Sequence, residues 1–320
     1  MTQQSKIVSI IIPIYQQNES HLAMSLSSIN NQLDVDFSTF DVHLVNDGGD
    51  PIDLEMLRQV FSNLDLYYHQ LEKNVGPGLA RQYGVDHSEG QYLMFVDSDD
   101  WLFQANSLQY FFEAVKTTGN HEIISSYYNR EGLSADGNNI VVAQGLFEDT
   151  SVYPRWFNRQ FLLVHDLRFS SELRLFEDLY FTGLAFKLVV DHFVIARITY
   201  YYHYRVSSLT HSQQFVATGE AAKQWRLQLE FLRDHSYETQ LRDQFDHLIL
   251  DIYIYHTNFR PSGGDEQSFL EELHQLLLEF PQVAKTYSPE MQDYVSRGIF
   301  DQLLSVIPQD DLKNFLERIL

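Results

Sequence analysis

The chain has 320 residues, with 22 Lys and Arg against 44 Asp and Glu, a formal net charge of −22 at pH 7 with His neutral. Length suggests about two domains, and 44% hydrophobic against 21% charged residues excludes wholesale disorder. Such acidity argues against a nucleic-acid binder and against adhesion to an anionic membrane through net charge, leaving only a local basic patch for peripheral contact. Cysteine is absent, so any metal must use Asp, Glu, His or backbone oxygens.

No segment is apolar for the ~18 residues that a membrane helix requires. Residues 7–12 are apolar but stopped by Pro13, too short for the core of a signal peptide. The expected address is the cytoplasm, with peripheral association at the inner face of the cell membrane left open.

In chain order, residues 7–12 carry the continuous apolar pattern of a strand buried on both faces of a parallel sheet. Leu22, Leu26 and Ile29 follow at helical spacing, and Phe40, Val42 and Leu44 alternate into Asn46-Asp47-Gly48-Gly49, a strand running into a turn. Leu54, Leu57 and Phe61 mark a second helix, Leu66-Tyr67-Tyr68 a third strand, and Pro77 the first turn of a helix with Leu79 and Ala80. Residues 92–96 read as a fourth strand. These units imply an α/β fold: an open mixed, mostly parallel sheet flanked by helices, binding ligands beyond the carboxyl ends of its strands.

From residue 103 the pattern changes. Leu108, Phe111, Phe112 and Val115 predict a helix, Asp136-Gly137 a hairpin turn, residues 156–163 and 177–188 further helices, and residues 193–204 a strand. Beyond residue 211 helical patterns dominate, including Trp225, Leu229 and Leu232, then Leu248, Ile252 and Tyr255. The expected division is an α/β domain over residues 1–210 and a helical C-terminal module over 211–320, serving packing, oligomerisation or acceptor binding.

The densest charge is Asp97-Ser98-Asp99-Asp100, between Val96 and Trp101. Three carboxylates in four positions repel one another unless a cation lies between them. A divalent ion, magnesium or manganese, suits hard oxygen ligands and could neutralise a diphosphate leaving group. The alternative is an Asp-rich turn that caps the following helix.

Other segments weigh in. Pro13-Ile14-Tyr15 closes the first strand, with Asn18-Glu19 just after; Asn46-Asp47-Gly48 closes the second; Asn74-Val75-Gly76 precedes Ala80-Arg81 and Gly84. Phe176-Glu177-Asp178 and Tyr204-Arg205, with Ser207-Ser208, come later. In this order they resemble bacterial family 2 glycosyltransferases, inverting enzymes of the GT-A fold, over about residues 7–210. The resemblance implies a hexosyl- or N-acetylhexosaminyl-type transfer from a UDP-sugar to a hydroxyl of a glycan, wall polymer or glycoprotein, lipid-linked or protein-linked.

It also implies roles. Asp47 would hydrogen-bond the uracil, with Pro13, Ile14 and Tyr15 lining the base site and Arg81 near the nucleotide. Glu19, Asn74, Ser98 and Ser208 would add nucleotide-sugar contacts, and Arg205 would neutralise a diphosphate oxygen. Asp97 would serve the ribose or metal side, and Asp99 would ligate the metal. Asp178 would deprotonate the acceptor, with Glu177 shaping its surroundings. His211 is a weaker candidate metal ligand and His203 weaker still. Asn46 departs from the family's paired aspartates.

Two rivals remain. A sugar nucleotidyltransferase typically opens with a glycine-rich basic loop, which residues 13–19 lack. A non-catalytic sugar-nucleotide binder would not need Asp97, Asp99, Asp178 and Arg205 together.

Overall fold

In the computed structural model, which describes residues 6–133, 139–144, 151–204, 219–259 and 264–285, β1 (Val8–Ile14) has a strand on each side. It pairs in parallel with β2 (Phe40–Asn46) and with β4 (Tyr92–Phe95), while β3 (Leu66–Gln70) continues in parallel beyond β2. Val8, Ile10, Ile11 and Ile12 are fully buried, which explains why the run is continuous rather than alternating. The helices α1 (Glu19–Asn30), α2 (Leu54–Val60) and α3 (Pro77–Asp86) make the crossovers.

Past β4 the sheet becomes mixed. It contains β5 (Trp101–Leu102), β6 (Ile123–Leu133), β7 (Asn139–Gln144), β8 (Arg155–Asn158) and β9 (His192–Tyr202). The order is β3-β2-β1-β4-β8-β6-β9-β5, with β7 on β6. β6 and β9 pair in parallel, whereas β4–β8, β5–β9, β6–β7 and β6–β8 are antiparallel. Its remaining helices are α4 (Ser107–Thr118), α5 (Arg159–Val164) and α6 (Glu177–Leu188). The expected turn at Asp136-Gly137 lies outside the described residues, but Leu133 and Asn139 on either side are antiparallel partners.

One expected helix is corrected. Residues 156–163 divide into β8 and α5, because β4 and β6 claim β8 from both sides. Asn158 then caps α5, its side chain accepting from the Gln160 and Phe161 amides.

The chain divides into two compact units, Met1–Arg205 and Val206–Leu320. The second contains α7 (Gly219–Asp234), α8 (Glu238–Phe259), α9 (Gly264–Glu279) and α10 (Gln282–Lys285). Trp225, Leu229, Leu232, Leu248, Ile252, Phe269, Leu273 and Leu276 are buried within it. Among the described residues no helix is long and apolar enough to cross a membrane.

Two glycines set how closely α3 approaches its neighbours. A Cβ on Gly84 would lie 2.5 Å from Ile11 Cγ2, and one on Gly78 would lie 2.6 Å from Glu177 Cγ. α3 is thereby wedged between β1 and the start of α6.

On β2 and β3 and just past α3 lie three neighbouring imidazoles, two of them stacked. His43 Nδ1 is 3.0 Å from His69 Nε2, their rings 4° from parallel, and His87 sits 5.6 Å from His69. Tyr67 stacks on His43 and Tyr83 on His87. Only one proton fits between the facing nitrogens. Burial first, then His43 and His87, push His69 down to about 4. The unfolded chain, at ~6.5, therefore takes up this proton before the folded one. The contribution is whole above pH ~6.5 and is lost as pH falls toward 4. Urea denaturation should show a loss of about 1–2 kcal/mol between pH 7 and pH 5 from this group. His69→Gln should remove that part of the pH dependence.

Candidate active site

Arg81 on α3 is 5% exposed and forks between two carboxylates. Its Nη2 donates to Asp97 Oδ1 at 2.6 Å and its Nη1 to Glu177 Oε1 at 2.9 Å. Burial disfavours the cation, but Asp97 and Glu177 outweigh it and raise the Arg81 pKa. One guanidinium thus ties the carboxyl end of β4 to the N-terminus of α6. The resemblance puts Arg81 near the nucleotide; the structure commits both terminal nitrogens to protein carboxylates.

The acidic turn after β4 is divided by role. The Asp97 amide donates to Tyr200 Oη at 3.1 Å, and Tyr200 in turn donates to Asp100 Oδ2 at 2.7 Å. Asp100 Oδ1 accepts the His203 amide at 2.8 Å. Asp100 is buried, and that burial, with Asp97 and Asp99 nearby, pushes its pKa well up. It braces the turn against β9 and its end. No helix is capped there: β5 follows at once, and α4 begins only at Ser107. Ser98 is buried, while Asp97 and Asp99 stay partly exposed.

His203 is engaged elsewhere. Its Nδ1 lies 2.5 Å from Glu131 Oε2, while Glu131 Oε1 accepts from Tyr201 at 2.7 Å. The Tyr200 ring stacks on Tyr153, and Tyr201 stacks on Trp101 at 4.4 Å.

The start of α6 carries Glu177 and Asp178. Phe176 before them is left-handed, φ 63°, a conformation worth about 1–3 kcal/mol of strain in a bulky residue. Burial raises the pKa of both carboxyls, and the Arg81 charge opposes the rise. Glu177 is occupied by Arg81; Asp178 Oδ1 accepts its neighbour's amide, Leu179 N–H, at 2.8 Å.

At the ends of β1 and β2, Asp47 is buried. Its Oδ1 accepts from Val75 N–H at 2.7 Å and its Oδ2 from Gly76 N–H at 2.9 Å. Burial raises its pKa despite those bonds. Asn46 explains its own departure from an aspartate: Nδ2 donates to Asp50 O and Tyr68 Oη, while Oδ1 accepts Gly49 N–H. An ionised aspartate could not donate. Ile14 is buried, with its carbonyl accepting Asp47 N–H at 2.7 Å, while Tyr15 is exposed and Pro13 partly so. Glu19 Oε1 accepts Asp53 N–H at 2.6 Å, joining the starts of α1 and α2. Asn74 accepts from Arg174, a contact that sequence reasoning did not single out.

Arg205, Ser208 and His211 lie outside the described residues. Among the described residues no group of three or more His, Cys, Asp or Glu side chains is arranged around a metal position. Asp97 and Asp99 nevertheless offer two hard oxygen donors at a strand end, and magnesium ordinarily takes one or two carboxylates together with substrate phosphates and water. The donor types fit a divalent ion.

Removing the Arg81 charge should leave Asp97 and Glu177 uncompensated. Arg81→Met should therefore cost about 3–5 kcal/mol in urea denaturation. Arg81→Met with Glu177→Gln should recover about 1 kcal/mol or more, since the pair is coupled.

Comparison with known proteins agrees with this architecture. The chain is 24% identical over 323 residues to poly(ribitol-phosphate) beta-N-acetylglucosaminyltransferase TarS of Staphylococcus aureus, covering 96% of this chain and 54% of TarS. It thus spans about half the length of that relative. The putative glycosyltransferase EpsH of Bacillus subtilis is 23% identical over 269 residues, 76% of this chain and 74% of EpsH. The crystal structure of an S. aureus TarS fragment in complex with UDP-GlcNAc aligns with a TM-score of 0.69 at 21% identity, over 87% of this chain and 83% of that one. That likeness shows the fold. The pattern of Glycosyl transferase family 2 matches residues 9–180, more than half of the sequence, and the chain belongs to that family.

Proposed function

We propose that the chain is an inverting glycosyltransferase that moves a sugar from a UDP-linked donor, UDP-GlcNAc foremost, to a hydroxyl of a glycan, wall polymer or glycoprotein. The observation that carries this reading is the Arg81 fork, which joins the Asp97–Asp99 strand end to the Glu177–Asp178 helix start. An inverting transfer needs a cation-bearing side for the leaving group and a carboxylate base on the acceptor side. The UDP-GlcNAc complex of TarS supports the donor choice.

In this reading the acceptor oxygen bonds to the anomeric carbon as the bond from that carbon to the diphosphate oxygen breaks. The hydroxyl proton passes to the Asp178 carboxylate, and UDP departs. Burial raises the Asp178 pKa and so strengthens it as a base, while the nearby Arg81 charge favours its ionised form. Asp99 and Asp97 would hold magnesium or manganese, which would supply neutralising charge to the diphosphate. Glu177 positions the base helix through Arg81. We assign the helical unit after residue 205 to packing, oligomerisation or acceptor binding, since it carries none of the described chemistry-bearing residues. A cytoplasmic location, meeting lipid-linked acceptors at the inner membrane face, belongs to the same proposal.

Asp178→Asn keeps size and most hydrogen bonding but removes the basic oxygen. Sugar transfer should fall by ~10²–10⁴-fold, with UDP binding and melting temperature nearly intact. Near-normal turnover would move the base to another residue. Asp99→Ala should abolish the gain in UDP affinity that manganese confers; an unchanged gain would refute the metal assignment.

A further inference from the structure

Arg81 is tied to Asp97 and Glu177, so a second guanidinium at this end of the sheet gains weight. Arg174 is exposed and lies in the segment just before α6, three residues ahead of Glu177. Its Nη2 donates to Asn74 Oδ1 at 2.5 Å. A Cβ built on Gly76 would lie 4.0 Å from the Arg174 Cα, so the two backbones face each other across a side chain's width. The Arg174 charge also favours the ionised form of Asp47, whose oxygens hold the Val75 and Gly76 amides. Three chain segments therefore meet here: the end of β2, the loop before α3 and the loop before α6.

Building on the donor reading above, we propose that Arg174 is a nucleotide-binding residue whose guanidinium closes over the pyrimidine end of the donor. The chemistry matches. A uracil ring presents two carbonyl oxygens and one ring N–H, and a guanidinium is a planar group of donors that stacks on aromatic faces or bonds carbonyl oxygens. The Asp47 carboxylate retains lone pairs in the same corner to accept the ring N–H. Cytosine replaces one carbonyl with an amino donor, which a guanidinium does not satisfy. Arg174 thus favours uracil over cytosine by a donor set that the wrong base cannot accept.

The test is calorimetric titration of the full chain with uridine, UDP, CDP and manganese pyrophosphate, comparing the wild type with Arg174→Gln and Arg174→Lys. Arg174 is exposed, so loss of its Asn74 contact should lower the melting temperature of either variant only slightly. Arg174→Gln should weaken uridine and UDP at least tenfold, narrow the preference for UDP over CDP, and leave manganese pyrophosphate unchanged. Arg174→Lys should remain weak for uridine, because an ammonium restores charge without a planar donor set. Uridine affinity within twofold of wild type in Arg174→Gln overturns the proposal. So does a loss confined to ligands that carry phosphate, which would put the contact on the diphosphate. A wild-type chain that binds manganese pyrophosphate but neither UDP nor uridine overturns the donor reading itself, and this one with it.

Discussion

A single buried cation, Arg81, holds two elements that the chain brings together from far apart, the strand end at Asp97 and the helix start at Glu177. Taking a guanidinium out of water costs several kcal/mol, which one carboxylate seldom offsets. Two carboxylates at 2.6 and 2.9 Å, one buried and one partly exposed, offset it further than one could. The arrangement also demands space. α3 can carry Arg81 into this position only because Gly78 admits the Glu177 side chain and Gly84 admits Ile11. A methyl group at either site would push α3 away from the contacts it makes.

The same accounting explains how four consecutive positions tolerate three acids. Asp97 faces Arg81. Asp100 is turned inward, where Tyr200 and the His203 amide hydrogen-bond it and burial favours its protonated form. Protein groups thus relieve much of the repulsion that a metal alone would otherwise have to relieve. Asp97 and Asp99 are the two acids of the turn that stay partly exposed.

Much of this was legible in the sequence. Continuous apolar runs identified β1 and β4, and helical spacing found α1, α4 and α6, because those patterns follow from burial alone. The short β8 was misread as helix because Trp156 and Phe157 suit either element, and only partners distant in sequence decide between them. The motif residues lie at the ends of β1, β2 and β4 and at the start of α6, but nothing in them named their partners. Nothing local in Arg81 announces two carboxylates 16 and 96 residues away. The bracing by Tyr200 of a turn 100 residues earlier was equally hidden. Arg174 belongs to no recurring string, and only its approach to Asn74 and Gly76 draws attention to it.

The departure at Asn46 bears on the corner where β1 and β2 end. Its amide donates to Asp50 O and Tyr68 and accepts from Gly49, closing the turn after β2 with a donor that an ionised acid lacks. Asp47 is then the acid that remains in the pair, and both its oxygens already fix the backbone of Val75 and Gly76. A carboxylate so engaged fixes the backbone at the entry to α3. Its bonds hold the loop before α3 against the end of β2, and the Arg174–Asn74 contact holds that loop against the segment before α6. α3 leads from this corner to Arg81, and α6 leads back to Glu177. The two corners are therefore joined twice, through α3 by Arg81 and through the loop before α3 by Arg174.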